Sequence, residues 1–165
     1  NPDFLYGITT QFYYKNFDAS IVFAGQYGGE ILDGTMEATD NLDGVFNVNK
    51  EASKRWRSIE NPGNGVYPRT KFSGSELFRL GNSRWVRDGS YLMAKNITIG
   101  YTLPKVKSIK NARAFLSFQN LFMITKYDGM NPEVSKNGLN GLRQGIDGSS
   151  YPVPRTYSIG LTFNF

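Results

Sequence analysis

Five stretches of this chain alternate apolar and polar residues with a period of two, and no other feature limits the possible fold as much. In the clearest, Tyr157, Ile159, Leu161, Phe163 and Phe165 alternate with Ser158, Gly160, Thr162 and Asn164. A helix turns about 100° per residue and would scatter such side chains around its axis, whereas a strand sends them all to one face. Residues 5–14 put Tyr6, Ile8, Thr10, Phe12 and Tyr14 on one face, and Lys15-Asn16 then makes a tight turn. The return stretch, 17–27, has Phe17, Ala19, Ile21, Phe23 and Tyr27 as its apolar side. Residues 85–103 set Ile97, Ile99, Tyr101 and Leu103 against Asn96, Thr98, Gly100 and Thr102, ending at Pro104, which has no amide hydrogen for a ladder. Residues 112–125 oppose Ala114, Leu116 and Phe118 to Arg113, Ser117 and Gln119, and 153–165 form the fifth strand. The expected fold is all-β.

Composition agrees and removes much chemistry. Ten Tyr, 12 Phe, two Trp and 18 Gly suit strands and turns. With no Cys and no His, the chain can build no thiol nucleophile, Ser-His-Asp triad, His-ligated metal site or disulfide. Asp33, Asp40 and Asp43 match neither a calcium loop nor a glycosidase carboxylate pair and read as solvated loop acids. No catalytic, cofactor or metal site is expected. The net charge is +5, but the basic residues are scattered outside Lys54, Arg55, Arg57 and Lys105, Lys107, Lys110, so no nucleic-acid partner is expected.

The connections alternate between short and long. Lys15-Asn16 and 104–111 are short, whereas 29–83 and 126–151 are long. Structureless loops beyond ~12–15 residues are uncommon in compact domains. Transmembrane barrels, by contrast, join short periplasmic turns to long extracellular loops. No run approaches the ~20 apolar residues of a spanning helix. With the short turns periplasmic, the five strands run down, up, down, up and down, leaving Phe165 at the periplasmic rim. The alternation by itself also fits a soluble sheet with one wetted face.

Four ordered stretches carry a resemblance: Arg84-Trp85-Val86-Arg87-Asp88-Gly89-Ser90-Tyr91-Leu92; Lys95-Asn96-Ile97-Thr98-Ile99-Gly100-Tyr101-Thr102-Leu103-Pro104; Gln119-Asn120-Leu121-Phe122 with Thr125-Lys126-Tyr127-Asp128-Gly129 and Asn131-Pro132-Glu133-Val134; and Tyr151 to Phe165. Together they resemble the C-terminal end of a SusC/RagA-type TonB-dependent outer-membrane transporter. The resemblance implies an antiparallel transmembrane β-barrel fragment, residues 1–165 supplying about five strands of a barrel of about 22. It further implies outer-membrane import of large nutrients, oligosaccharides or peptides, in a Gram-negative bacterium. The implied partners are the remaining strands and plug of the same transporter, a SusD-like surface lipoprotein, TonB through regions outside this chain, and outer-membrane lipid. A passive structural or adhesive outer-membrane barrel and a soluble β-rich binding domain stay open as alternatives.

On this reading Ile97, Ile99, Tyr101, Leu116 and Phe118 face lipid. Trp56, Tyr67 and Trp85 are candidates for ligand or partner contacts of the loops, or for packing anchors within them. Tyr157, Ile159, Leu161, Phe163 and Phe165 resemble the signal that outer-membrane barrels present to their insertion machinery. Deleting Phe165, or Phe165→Ser, should therefore lower the amount of transporter in outer-membrane fractions, measured by quantitative immunoblot, while uptake per inserted molecule stays nearly unchanged. Normal abundance with lost uptake would assign the residue to the transport cycle instead.

Overall fold

A computed structural model of the chain describes residues 1–42, 47–70, 83–104, 111–134 and 144–164. They divide into two compact units, one of Asn1–Glu30, Asp88–Pro132 and Tyr151–Phe165, the other of Ile31–Arg87 and Glu133–Ser150. The strands in chain order are β1 (Phe4–Tyr14), β2 (Phe17–Tyr27), β3 (Glu30–Asp33), β4 (Val86–Asp88), β5 (Tyr91–Leu103), β6 (Asn111–Gln119), β7 (Met123–Thr125), β8 (Ile146–Asp147) and β9 (Thr156–Asn164). One helix, α1 (Gly34–Thr39), follows β3 directly.

In the first unit an antiparallel sheet runs β1-β2-β5-β6-β9, with β7 also pairing β5. Because side chains alternate faces, register decides which residues meet. Ala19, Ile99, Leu116 and Ile159 form one transverse row, and Phe17, Tyr101, Ala114 and Leu161 form the next. On the opposite face Gln11, Ser20, Thr98, Ser117 and Ser158 line up across all five long strands.

The third and fourth stretches are each broken where period two predicts one strand. Residues 83–85 form a 3₁₀ turn, and β4 is cut from β5 at Gly89-Ser90. There Asp88 Oδ1 accepts from the Ser90 amide at 2.8 Å, which turns the chain locally. Farther along β5 the register with β2 slips between Val22 and Phe23, leaving Lys95 as the extra residue of a bulge. Its neighbour answers the bulge. Asn120 adopts a left-handed φ of 51°, which Asn tolerates, and its amide donates to the Lys95 carbonyl at 3.1 Å. This separates β6 from β7 and buries Met93 and Ala94 beneath the bend. The final strand begins at Thr156 rather than at 153, because Pro152 and Pro154 cannot donate to the β6 ladder. Phe165 and the lysines 105, 107 and 110 lie outside the described residues.

Two glycines let bulky side chains lie across the sheet. Arg113 on β6 reaches over Gly100 on β5 to Asp18 on β2, with Nε donating to Oδ1 at 2.9 Å and a second guanidinium bond to Oδ2. A Cβ on Gly100 would fall on that guanidinium, and one on Gly160 would fall on the Phe115 ring. Arg113 Cζ in turn lies 5.3 Å from the centroid of Phe115, so the five residues form one layer near the short-turn end.

The second unit holds the regular structure of the two long connections. β3 is the centre of a small sheet, β4-β3-β8, and pairs with β8 in parallel. Its core is Ile31, Ala52, Tyr67, Trp85 and Val134.

Gly100→Ala should expel the Arg113 guanidinium and cost about 1 kcal/mol, the scale of a partly exposed ion pair. In a thermal-unfolding double-mutant cycle, Gly100→Ala should add little once Arg113→Ala is present. Full additivity would show that Gly100 is not there to clear the path to Asp18.

Candidate functional site

The two faces of the long sheet have opposite requirements. Ile97, Ile99, Tyr101, Leu116 and Phe118 share a face with Tyr157, Ile159, Leu161 and Phe163. Ile159 is 83% exposed, and Ile99, Leu116, Leu161 and Phe163 are exposed with it. Aromatic pairs extend the face toward both ends: Phe17 against Tyr101 (4.7 Å between centroids), Phe4 against Tyr27 (5.2 Å) and Phe118 edge-on to Tyr157 (5.8 Å). Covering one such side chain is worth roughly 1.5–3 kcal/mol. A contiguous apolar surface of this extent is rare on a soluble monomer.

The other face is lined with hydroxyls and amides. Thr98 Oγ1 lies 3.1 Å from Asn96 Oδ1 and 3.3 Å from Ser117 Oγ, a small network suited to contact with water. The Asp18–Arg113 pair is the charged part of this face.

In the long connections, the three aromatic candidates are placed differently from one another. Trp85 is 1% exposed and Tyr67 is also buried, so both pack inside their own unit. The Arg84 Cζ stacks 4.8 Å from the Tyr67 ring and 5.2 Å from the Trp85 ring. Trp56 is half-buried, and its amide donates to the Tyr67 carbonyl at 2.9 Å.

The acidic residues of the connection have structural partners. Asp33 caps α1, its Oδ1 accepting from the Met36 amide at 2.8 Å. Asp147 Oδ1 accepts from the amides of Ser149 and Ser150 at 3.1 and 3.0 Å. Asp40 is fully buried, with Arg84 Nη2 at 3.8 Å from its Oδ2. Burial pushes its carboxyl above the ordinary range, against the opposing pull of the Tyr67 hydroxyl and of Arg84 and Arg87. Burial likewise raises the Tyr67 phenol, and the Asp40 charge adds to it. Asp43 lies outside the described residues. Among the described residues no group of three or more Asp or Glu is placed to hold a metal.

Since the folded Asp40 carboxyl titrates above its unfolded value of 3.8, its ionisation costs stability, and the second unit should tighten as pH falls from neutral toward 3.8. The Asn49 amide, which donates to the Thr39 carbonyl beside Asp40, should show slower intrinsic-rate-corrected hydrogen exchange near the unfolded value of 3.8 than at neutral pH. Asp40→Asn should flatten that dependence. An unchanged slope in the variant would place the titrating group elsewhere.

No protein family model matches the chain. Curated relatives do. TonB-dependent receptor P3 of Formosa agariphila is 34% identical over 172 residues, covering 99% of this chain and 16% of the relative. TonB-dependent receptor SusC of Bacteroides thetaiotaomicron is 28% identical over 175 residues, covering 99% and 15%. The chain therefore spans about one-sixth of the length of the curated relatives it matches. Among solved structures, the RagAB peptide importer in its closed-closed state matches all of this chain and 17% of its own, with a TM-score of 0.78 at 23% identity. The RagAB peptide transporter matches 92% of this chain and 16% of its own, with a TM-score of 0.75 at 24% identity. At that identity the structural likeness speaks for the fold. Along nearly its whole length the chain is thus similar in sequence to about one-sixth of the length of proteins named TonB-dependent receptor, SusC among them, and in fold to a part of the RagAB importer.

Proposed function

We propose that this chain is the C-terminal part of the barrel wall of a TonB-dependent importer of large nutrients, oligosaccharides in the first place and peptides as the second class. The observation that carries this reading is the two-faced sheet. A continuous apolar surface, from Phe12 through Ile99 to Ile159, suits lipid, and the hydroxyl row on its reverse suits a water-filled lumen.

The outermost strands add support. Among the described residues β1 and β9 each pair on one side only. Inside a bilayer every unpaired backbone group costs several kcal/mol, so a spanning sheet needs neighbours at both edges. The remaining strands of the same transporter would supply them. A plug would fill the lumen, a SusD-like lipoprotein would cover the outer mouth, and TonB would supply energy through regions outside this chain. The names of the relatives, TonB-dependent receptor and SusC, and of the RagAB peptide importer favour this assignment. The segment itself shapes and lines a passage, its long connections on the outer side and its short turns on the periplasmic side, and performs no covalent chemistry.

Two measurements test this. Epitope tags inserted near Gly63 and near Gly141 of the complete transporter should both bind antibody on intact cells; binding only after the outer membrane is permeabilised would reverse the topology. Ile159→Arg should lower barrel stability by roughly 2–4 kcal/mol in lipid, the cost of a midplane charge. An effect below ~1 kcal/mol would place this face against water instead.

A further inference from the structure

Residues 56–67 of the first long connection form a loop that is closed at two levels. The Trp56 amide donates to the Tyr67 carbonyl at 2.9 Å, and the Asn64 amide donates to the Lys54 carbonyl at 3.0 Å. Gly63, at a left-handed φ of 69°, lies against the Lys54 and Arg55 carbonyls, where a Cβ would not fit. Tyr67 is buried, whereas every residue from 59 to 66 is exposed.

Within this exposed stretch the peptide after Asn64 has an unusual environment. The next residue, Gly65, has no side chain to shield its amide nitrogen, and a Cβ built there would meet nothing within 4 Å. Among the described residues the Gly65 amide donates to no acceptor. The Asn64 side chain is folded over this same peptide, because the Val66 amide donates to Asn64 Oδ1 at 3.0 Å. Asn64 Cγ is a carbonyl carbon, and attack on it by the Gly65 nitrogen closes a five-membered ring. The Val66 N–H is placed to take the charge that builds on Oδ1 as that ring forms. Asn49 offers a comparison within the same chain. It is exposed and its Oδ1 accepts from the Glu51 amide at 3.2 Å in the same way, but the residue after it is Lys50, whose side chain crowds the attacking nitrogen.

We propose that Asn64 deamidates spontaneously and that the β-linked product loosens the closure of this loop. The deprotonated Gly65 nitrogen attacks Asn64 Cγ, the N–Cγ bond forms as the Cγ–Nδ2 bond breaks, and the side-chain nitrogen leaves as ammonia, gaining one proton for the one Gly65 gave up. Water then opens the cyclic imide at either carbonyl, giving aspartate or the β-linked isoaspartate. Either product adds a carboxylate and lowers the net charge of +5 by one. The isoaspartate also carries the main chain through its Cβ, which lengthens by one carbon the path between the Asn64–Lys54 and Tyr67–Trp56 bonds. The chemistry needs water alone, so it holds whichever way the long connection faces.

The test incubates the complete transporter in detergent at mildly alkaline pH and follows Asn64 in the tryptic peptide 58–69 by mass spectrometry with fragmentation that separates isoaspartate from aspartate. Asn64 should convert about tenfold faster than Asn49, with isoaspartate the main product, and at a rate within about tenfold of that in a synthetic 58–69 peptide. Gly65→Ala should remove the difference from Asn49. Conversion as slow as that of Asn49, aspartate as the sole product, or a rate further below the free peptide's would overturn the site. For the loop, the Trp56 amide should exchange hydrogen faster in the aged protein than in Asn64→Asp, which adds the charge without the extra carbon. No excess over Asn64→Asp would refute the loosening while leaving the site.

Discussion

The register of β5 against its two neighbours is the constraint on which the rest of the sheet depends. β5 pairs with β2 on one side and with β6 and β7 on the other, so its thirteen residues fix which side chains of three other strands share a face. A slip of one residue would send Ile97, Ile99 and Tyr101 to the hydroxyl side and put Thr98 among Ile21 and Phe118. The bulge at Lys95 manages this locally. It shifts the phase once, so that Ala94 and Leu92 rejoin the apolar face beside Phe23 and Gly25.

Charge and bulk on the polar face are accommodated by what is missing from neighbouring residues. Asp18 and Arg113 are not direct cross-strand partners, and the diagonal between them is open only because Gly100 has no side chain. Phe115, an apolar residue on a polar face, lies flat over Gly160 and under the Arg113 guanidinium. The layer thereby fits an aromatic ring and an ion pair into the polar face beside the row of Ser20, Thr98, Ser117 and Ser158.

The second unit is organised around buried polar groups instead of apolar alternation. Asp33 and Asp147 sit opposite each other in a parallel pair, and each is occupied in capping the turn that follows it. Asp40, Tyr67 and Arg84 form a compact charged cluster against Trp85. Such clusters specify one arrangement of a long connection that has little core of its own.

Alternation alone determined the strands and their two faces, because a period of two has one structural meaning wherever it persists over eight or more residues, as it does from Tyr157 onward. The hairpin at Lys15-Asn16 was legible for the same reason, two alternating runs separated by two residues. The breaks at Gly89-Ser90 and Asn120 were not. They leave the alternation almost undisturbed: at Gly89-Ser90 the bond from the Ser90 amide to Asp88 turns the chain without changing the pattern, and at Asn120 the bond is to Lys95, whose position depends on strand pairing. Likewise, the sequence marks Tyr67 and Trp85 only as aromatics in or beside a long connection. Tertiary structure turned them inward, where Arg84 stacks on both and lies beside the buried Asp40. The ion pair of Asp18 and Arg113, 95 residues apart, is likewise a product of register. Local pattern fixes which way a side chain points, but only pairing fixes which side chain it meets.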